Sequence, residues 1–154
     1  MPEKVRFIKG DLFTDQRGTL QFVNEFSFPD VKRFYQITHP DVTVVRAWQG
    51  HKIEQKFFYV VKGKFALAWV AIDDWDHPSP DLTAEHVVLE EGIPAVLHIP
   101  PGFANGMKAL EPDSVIMVYS NLDLQASAAD RWSFDQRLWF DWQKLASNSN
   151  HIIA

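Results

Sequence analysis

From Gln55 to Asp73 the chain runs Gln-Lys-Phe-Phe-Tyr-Val-Val, then Lys-Gly-Lys, then Phe-Ala-Leu-Ala-Trp-Val-Ala-Ile-Asp. Aromatic and β-branched residues in two runs this short favour extended backbone, and a glycine between them favours a tight reversal. The spacing predicts two adjacent strands joined at Gly63. The same grammar recurs along most of the sequence. Strands are expected over Thr19 to Phe28, Phe34 to Thr38, Val42 to Trp48, Glu85 to Leu89, Ala95 to Ile99 and Val115 to Ser120. Between them stand His39-Pro40-Asp41, Glu90-Glu91-Gly92 and Pro100-Pro101-Gly102, and Asp74 to Pro80 reads as a surface loop.

Short strands at this spacing indicate an all-β sandwich or barrel. Helical material is expected only near the end, around Gln125 to Arg131 or Trp139 to Ala146. A chain of 154 residues, 46% of them hydrophobic, encloses one sizeable core, so one barrel domain is expected over residues 1–146, with a tail over 147–154. Its six tryptophans are expected in core or interface positions, except Trp75 in the proline-rich loop.

Composition narrows the function. A formal charge of -5, without a basic run, argues against nucleic-acid binding. The absence of cysteine removes disulfides, thiolate nucleophiles and cysteine-based zinc sites. No signal peptide is legible at Met1-Pro2-Glu3-Lys4-Val5, and no apolar run approaches the ~18 residues of a membrane span. A soluble, cytoplasmic protein is expected.

Polar chemistry concentrates between Arg46 and Lys56. Regular alternation places Arg46, Trp48 and Gly50 on one strand face and Ala47, Gln49 and His51 on the other, unless Gly50 breaks the parity. Lys56 follows at the head of the apolar run Phe57-Phe58, either reaching a barrel rim or anchoring an anionic or enolate-like oxygen. A lone histidine is commonly structural. Positive charge around His51 would, alternatively, keep its imidazole neutral and able to accept a proton. His98 reads as a core or interface residue.

Several segments in order carry a resemblance: Asp15-Gln16-Arg17-Gly18, Arg33-Phe34-Tyr35-Gln36, Val45 to His51, Gln55-Lys56, Gly63, and Ile99-Pro100-Pro101-Gly102-Phe103-Ala104-Asn105-Gly106. Together, from about Gly10 to Trp142, they resemble cupin-type sugar-nucleotide enzymes, the dTDP-4-dehydrorhamnose 3,5-epimerases and the dTDP-4-keto-6-deoxyhexose 3,4-ketoisomerases. The resemblance implies a double-stranded β-helix of the cupin, jelly-roll-like kind. It also implies a homodimer, with the strands from Thr19 to Thr38 pairing across it, and a nucleoside-diphosphate deoxysugar as partner. No metal, nicotinamide or other cofactor is expected.

Carried over by position, Arg46 and Arg17 match diphosphate or nucleotide contacts, and Lys56 matches a lysine that steadies an enolate. The epimerases place a histidine where Gln49 stands, and the ketoisomerases place histidines at both Gln49 and His51. Asn105 likewise stands where the proline-glycine motif continues to a histidine. An amide hydrogen-bonds a sugar hydroxyl but does not remove a carbon-bound proton, so His51 becomes the candidate base, with Gln49 and Asn105 as binding residues. Tyr119 or Tyr35 is the candidate acid. The usual cupin metal positions would be Gln49, His51, Gln55 and Asn105, one histidine and three amides, a poor set for a divalent ion.

The expected activity is a metal-independent epimerase or ketoisomerase acting on a dTDP-linked 4-keto-6-deoxyhexose. The alternative is a catalytically inactive cupin that binds a nucleotide sugar or another carbohydrate.

Overall fold

Alternation of large and small side chains organises the molecule, and strand β7 (Lys64–Ala71) displays it best. In the computed structural model, which describes residues 3–145, Phe65, Leu67 and Trp69 point into the barrel. Ala66, Ala68 and Val70 lie on the outer face, where their small size lets Trp48, Trp139 and Trp142 cover the sheet. One strand thus serves two apolar layers.

The remaining strands are β1 (Arg6–Lys9), β2 (Asp11–Asp15), β3 (Gly18–Phe22), β4 (Arg33–Ile37), β5 (Val45–His51) and β6 (Lys56–Lys62). After β7 come β8 (Glu85–Glu90), β9 (Ala95–Ile99), β10 (Phe103–Ala109) and β11 (Val115–Ser120). Helix α1 (Leu124–Ala129), the short strand β12 (Trp132–Ser133) and a 3-10 turn (Trp142–Lys144) complete the described chain. Two five-stranded antiparallel sheets, ordered β1-β9-β6-β11-β4 and β12-β5-β10-β7-β8, face each other, and β2 and β3 form a separate hairpin. This is the expected all-β, cupin-like double-stranded β-helix. Between the sheets pack Phe58, Val60, Leu97, Ile99, Met107, Ile116 and Val118 with the inward residues of β7.

The Gly63 turn departs from expectation. Its flanking strands do not pair with each other: β6 bonds to β9 and β11, whereas β7 bonds to β8 and β10 in the opposite sheet. Gly63 therefore forms a corner between sheets. Its φ of 76° suits glycine, and a Cβ there would collide with Ser114.

Four strands were not expected: β1, β2, β10 and the short β12. The predicted strand from Thr19 to Phe28 stops at Phe22, and both expected helices shorten, the first to Leu124–Ala129 and the second to a 3-10 turn. Asp123 caps α1, its side chain accepting from Ala126 N at 2.9 Å. Trp48, Trp69, Trp139 and Trp142 are buried, while Trp75 and also Trp132 are half-buried. The tail expected over 147–154 lies outside the described residues. No helix among the described residues is long and apolar enough to cross a membrane.

Candidate active site

Strand β5 does not keep a regular alternation. Opposite it on β10, Asn105 pairs with Gln49 and Met107 with Arg46, so three steps on one strand face two on the other. Such a bulge turns the parity of everything before it. Arg46 therefore joins Gln49 and His51 on the inward face, which corrects the regular reading that set Arg46 apart with Trp48. Trp48 turns outward and is fixed there by a hydrogen bond from Nε1 to the Leu138 carbonyl, 2.9 Å. Beyond the bulge, Gly50 lies on the outer face, where an added Cβ would come 2.7 Å from the Trp75 ring.

The inward residues meet in a pocket of about 270 Å³. Its polar lining is Tyr35 from β4, Arg46 and Gln49 from β5, Lys56 from β6, Asn105 from β10 and Ser133 from β12. Phe58, Met107, Ile37 and Phe134 supply apolar wall. Both sheets thus contribute to the site. Lys56 is 7% exposed, and its ammonium makes no hydrogen bond or ion pair with the described residues. An unpaired cation in so enclosed a place favours an anionic or oxyanionic guest. A larger recess of about 660 Å³ lies outside the second sheet near Leu82 and Trp142, but it has no histidine or lysine in its wall.

His51 continues the inward face of β5 past Gln49 and is 3% exposed, so it stands behind the pocket lining rather than in it. Its Nδ1 lies 2.8 Å from the Asp130 carbonyl, which only accepts, so Nδ1 carries the hydrogen. Its Nε2 is buried without a hydrogen-bond partner among the described residues. Burial, followed by the positive charge of Lys56, pushes the imidazole below the usual histidine range, while Asp130 and Glu54 partly oppose the shift. At neutral pH the ring is uncharged, and its bare Nε2 has the lone pair of a general base.

The turn that follows is held from far away in sequence. The Asp130 carboxylate accepts from three successive backbone N–H groups, Lys52 at 3.0 Å, Ile53 at 2.9 Å and Glu54 at 2.7 Å. Behind it, the fully buried Glu54 carboxylate receives the hydroxyls of Ser120 and Ser127. Arg33 Nη2 stands 3.6 Å from the same carboxylate, with its guanidinium 4.7 Å over the Tyr35 ring. None of Glu54, Asp130, Arg33 and the two serines was assigned a role from the sequence, although Arg33 opens one of the segments that carry the resemblance.

Two expected site residues lie elsewhere. Tyr119 faces outward from β11, against Phe28 at 4.8 Å between ring centroids, while its neighbours Val118 and Ser120 point inward. Arg17 sits at the tip of the β2–β3 hairpin, 82% exposed and paired with Asp15 at 2.7 Å. His98 is buried against Phe57, accepts from Arg6 and lies 2.7 Å from Gln55 Oε1. Burial chiefly, with Arg6, lowers it to about 4, so it is a neutral structural histidine. Among the described residues no three acidic or histidine side chains converge as a metal site.

Residues 3–131 match the family described as FdtA: WxcM-like, C-terminal. The chain belongs to this family. The WxcM-like chain also shares its fold with a dTDP sugar isomerase from Desulfovibrio desulfuricans, at 16% identity and TM-score 0.71, covering 94% of each chain. The 3,4-ketoisomerase QdtA from Thermoanaerobacterium thermosaccharolyticum, in complex with TDP, is 21% identical with TM-score 0.64, over 82% of this chain and 85% of that one. The dTDP-4-dehydrorhamnose 3,5-epimerase from Bacillus anthracis, with TDP and PPi bound, is 17% identical with TM-score 0.72, over 90% and 84%. At these identities the likeness establishes the fold of the WxcM-like chain. No curated protein matches its sequence.

Proposed function

We propose that this chain is a metal-independent epimerase or ketoisomerase of a dTDP-linked 4-keto-6-deoxyhexose. The observation that carries the reading is the unpaired Lys56 ammonium in an enclosed pocket, close enough to His51 to lower its basicity, with His51 Nε2 bare. A histidine-to-asparagine variant of QdtA in complex with TDP-4-keto-6-deoxyglucose supports the choice of substrate class.

On this reading the sugar reaches past Gln49 to His51, which stands behind the pocket lining; Nε2 takes the proton from a carbon beside the ketone, and the electron pair moves onto the carbonyl oxygen. Lys56 holds the resulting enolate. Return of a proton to the same carbon from the opposite face inverts it; delivery to the former carbonyl carbon, with the neighbouring hydroxyl proton passing to the enolate oxygen, moves the carbonyl instead. Tyr35, the tyrosine in the pocket wall, is the donor, in preference to the outward Tyr119. Gln49 and Asn105 bind sugar hydroxyls. Arg46, exposed at the mouth, takes the diphosphate, a role its forked guanidinium suits better than the distant Arg17. A pocket of about 270 Å³ is small beside the ~300–1,000 Å³ of drug-sized sites, so it receives the reacting sugar while the nucleotide lies along the rim.

Turnover of dTDP-4-keto-6-deoxyglucose, followed by NMR, tests the assignment. His51→Ala abolishes turnover while dTDP still binds; undiminished turnover would remove His51 as the base. A second reading, a binding protein without turnover, rests on Gln49 standing directly opposite Asn105, two amides at positions where the resemblance implies histidines. Binding of the sugar nucleotide with no change in its spectrum would favour it.

A cytoplasmic homodimer belongs to the same proposal. Phe28 and Phe34, 55% and 67% exposed beside Tyr119, leave an apolar patch on the outer face of the first sheet. Sedimentation as a monomer at micromolar concentration would contradict the dimer.

A further inference from the structure

We propose that Glu54 is a positioning residue for His51, its hidden carboxylate supplying the negative charge behind the imidazole that receives the substrate proton. This inference rests on the reading of His51 as base. Glu54 follows His51 by three residues, its side chain is wholly buried, and Oε1 lies 3.3 Å from His51 Nδ1. The Asp130 carbonyl, closer at 2.8 Å, already settles which nitrogen holds the hydrogen. Glu54 therefore adds charge rather than tautomer.

That charge matters when Nε2 takes a proton and the ring becomes a cation. Lys56 on β6 opposes the change, and burial opposes it more. Against them stand Glu54 in the turn and Asp130 after α1; opposite His51 on β10 is Phe103, which has no charge. The Asp130 carboxylate is already occupied by three backbone donors. Glu54 is anchored by two neutral hydroxyls, from Ser120 and Ser127, that fix its place without cancelling its charge. Arg33 on β4 is the exception, a cation 3.6 Å away that draws on the same carboxylate. Arg33 and His51 thus share one anion, and Arg33 sets how much of it reaches the ring.

The arrangement predicts opposite responses to two charge-removing substitutions. The test is an NMR titration of the His51 ring in the full chain, beside the pH dependence of turnover. Glu54→Gln keeps the shape of the side chain, with one serine contact reversed so that the amide nitrogen donates to the hydroxyl, and the His51 midpoint falls by about one pH unit, kcat at neutral pH drops about tenfold and KM is unchanged. Arg33→Gln moves the midpoint up. Ser127→Ala, which removes a hydroxyl but no charge, leaves it in place. A midpoint indifferent to Glu54→Gln, or shifted the same way by Glu54→Gln and Arg33→Gln, overturns the proposal. The ring titration needs no substrate, so a chain that turns nothing over would defeat the functional reading while the two opposed shifts still decide the role of Glu54.

Discussion

Replacing Asp130 by alanine removes one acceptor that serves three consecutive backbone donors, at 3.0, 2.9 and 2.7 Å. Lys52 and Ile53 are exposed, so water replaces the lost bonds there, at a net cost of roughly 1 kcal/mol each. Glu54 is buried, so its N–H keeps the desolvation penalty of roughly 1–3 kcal/mol. The sum, about 3–5 kcal/mol, matches what breaking a buried charged network commonly costs. With a urea slope near 2 kcal/mol/M, the midpoint falls by about 1.5–2.5 M, a large part of a typical stability of roughly 5–15 kcal/mol. Asp130→Asn keeps one oxygen and loses about half as much. The His51 contact uses the backbone carbonyl of Asp130, so folded Asp130→Asn retains its imidazole tautomer and part of its turnover. Urea unfolding followed by tryptophan fluorescence reads the effect. A midpoint drop below about 0.5 M for Asp130→Ala would refute the view that this carboxylate holds the turn.

Tyr35→Phe lowers kcat by about 10²-fold or more, whereas Tyr119→Phe leaves it within about twofold, because only Tyr35 lines the pocket; steady-state kinetics of both variants check the order. Arg46→Ala weakens binding of dTDP by about 10- to 100-fold through loss of a charge-assisted bond, and calorimetry at two salt concentrations shows that dependence shrinking. His98 is held to about 4 against 6.5 in the unfolded chain, so below pH 6.5 the unfolded state takes up a proton that the folded state refuses. Stability is therefore lost as pH falls from 6.5 to 4, by up to about 3 kcal/mol from this residue, and His98→Gln flattens that part of the curve in urea midpoints measured between pH 7 and 4.

Local pattern carried most of the strand positions and the fold class, because short aromatic and β-branched runs between turn residues leave few alternatives. What it could not convey was pairing. A glycine turn looks the same whether it closes a hairpin or turns a corner between sheets, and at Gly63 the difference is made by Ser114, which lies directly behind it. Strand β10 was hidden because Phe-Ala-Asn-Gly-Met-Lys-Ala has weak strand preference and a turn-like Asn-Gly pair. It is nevertheless central, since Gly106 admits Ala47 and Trp142, a Cβ there coming 2.7 and 2.8 Å from them.

In the site, Gln49 and His51 were legible as a pair because they lie on one side of the bulge. Arg46 was misplaced because the bulge between them reverses parity, and nothing in Arg-Ala-Trp-Gln announces an extra residue. The choice between Tyr35 and Tyr119 needed to know which side of each strand faces inward. On β11, where Ile-Met-Val-Tyr is apolar throughout, alternation gives no answer. Glu54 and Asp130 were passed over because their partners come from distant segments, with Asp130 lying 76 residues beyond the Glu54 N–H it receives. A single buried acid in a turn resembles a solvated one until the fold closes over it.

Solvent exchange reads proton abstraction beside a ketone without presupposing the product. The chain is incubated with dTDP-4-keto-6-deoxyglucose in deuterated water and the sugar protons are followed by NMR. With the native chain, and not with His51→Ala, deuterium enters at carbon 3 or carbon 5 where the sugar is epimerised, or at carbon 4 where the carbonyl moves. Firm binding of the sugar nucleotide with every carbon-bound proton retained would contradict this mechanism.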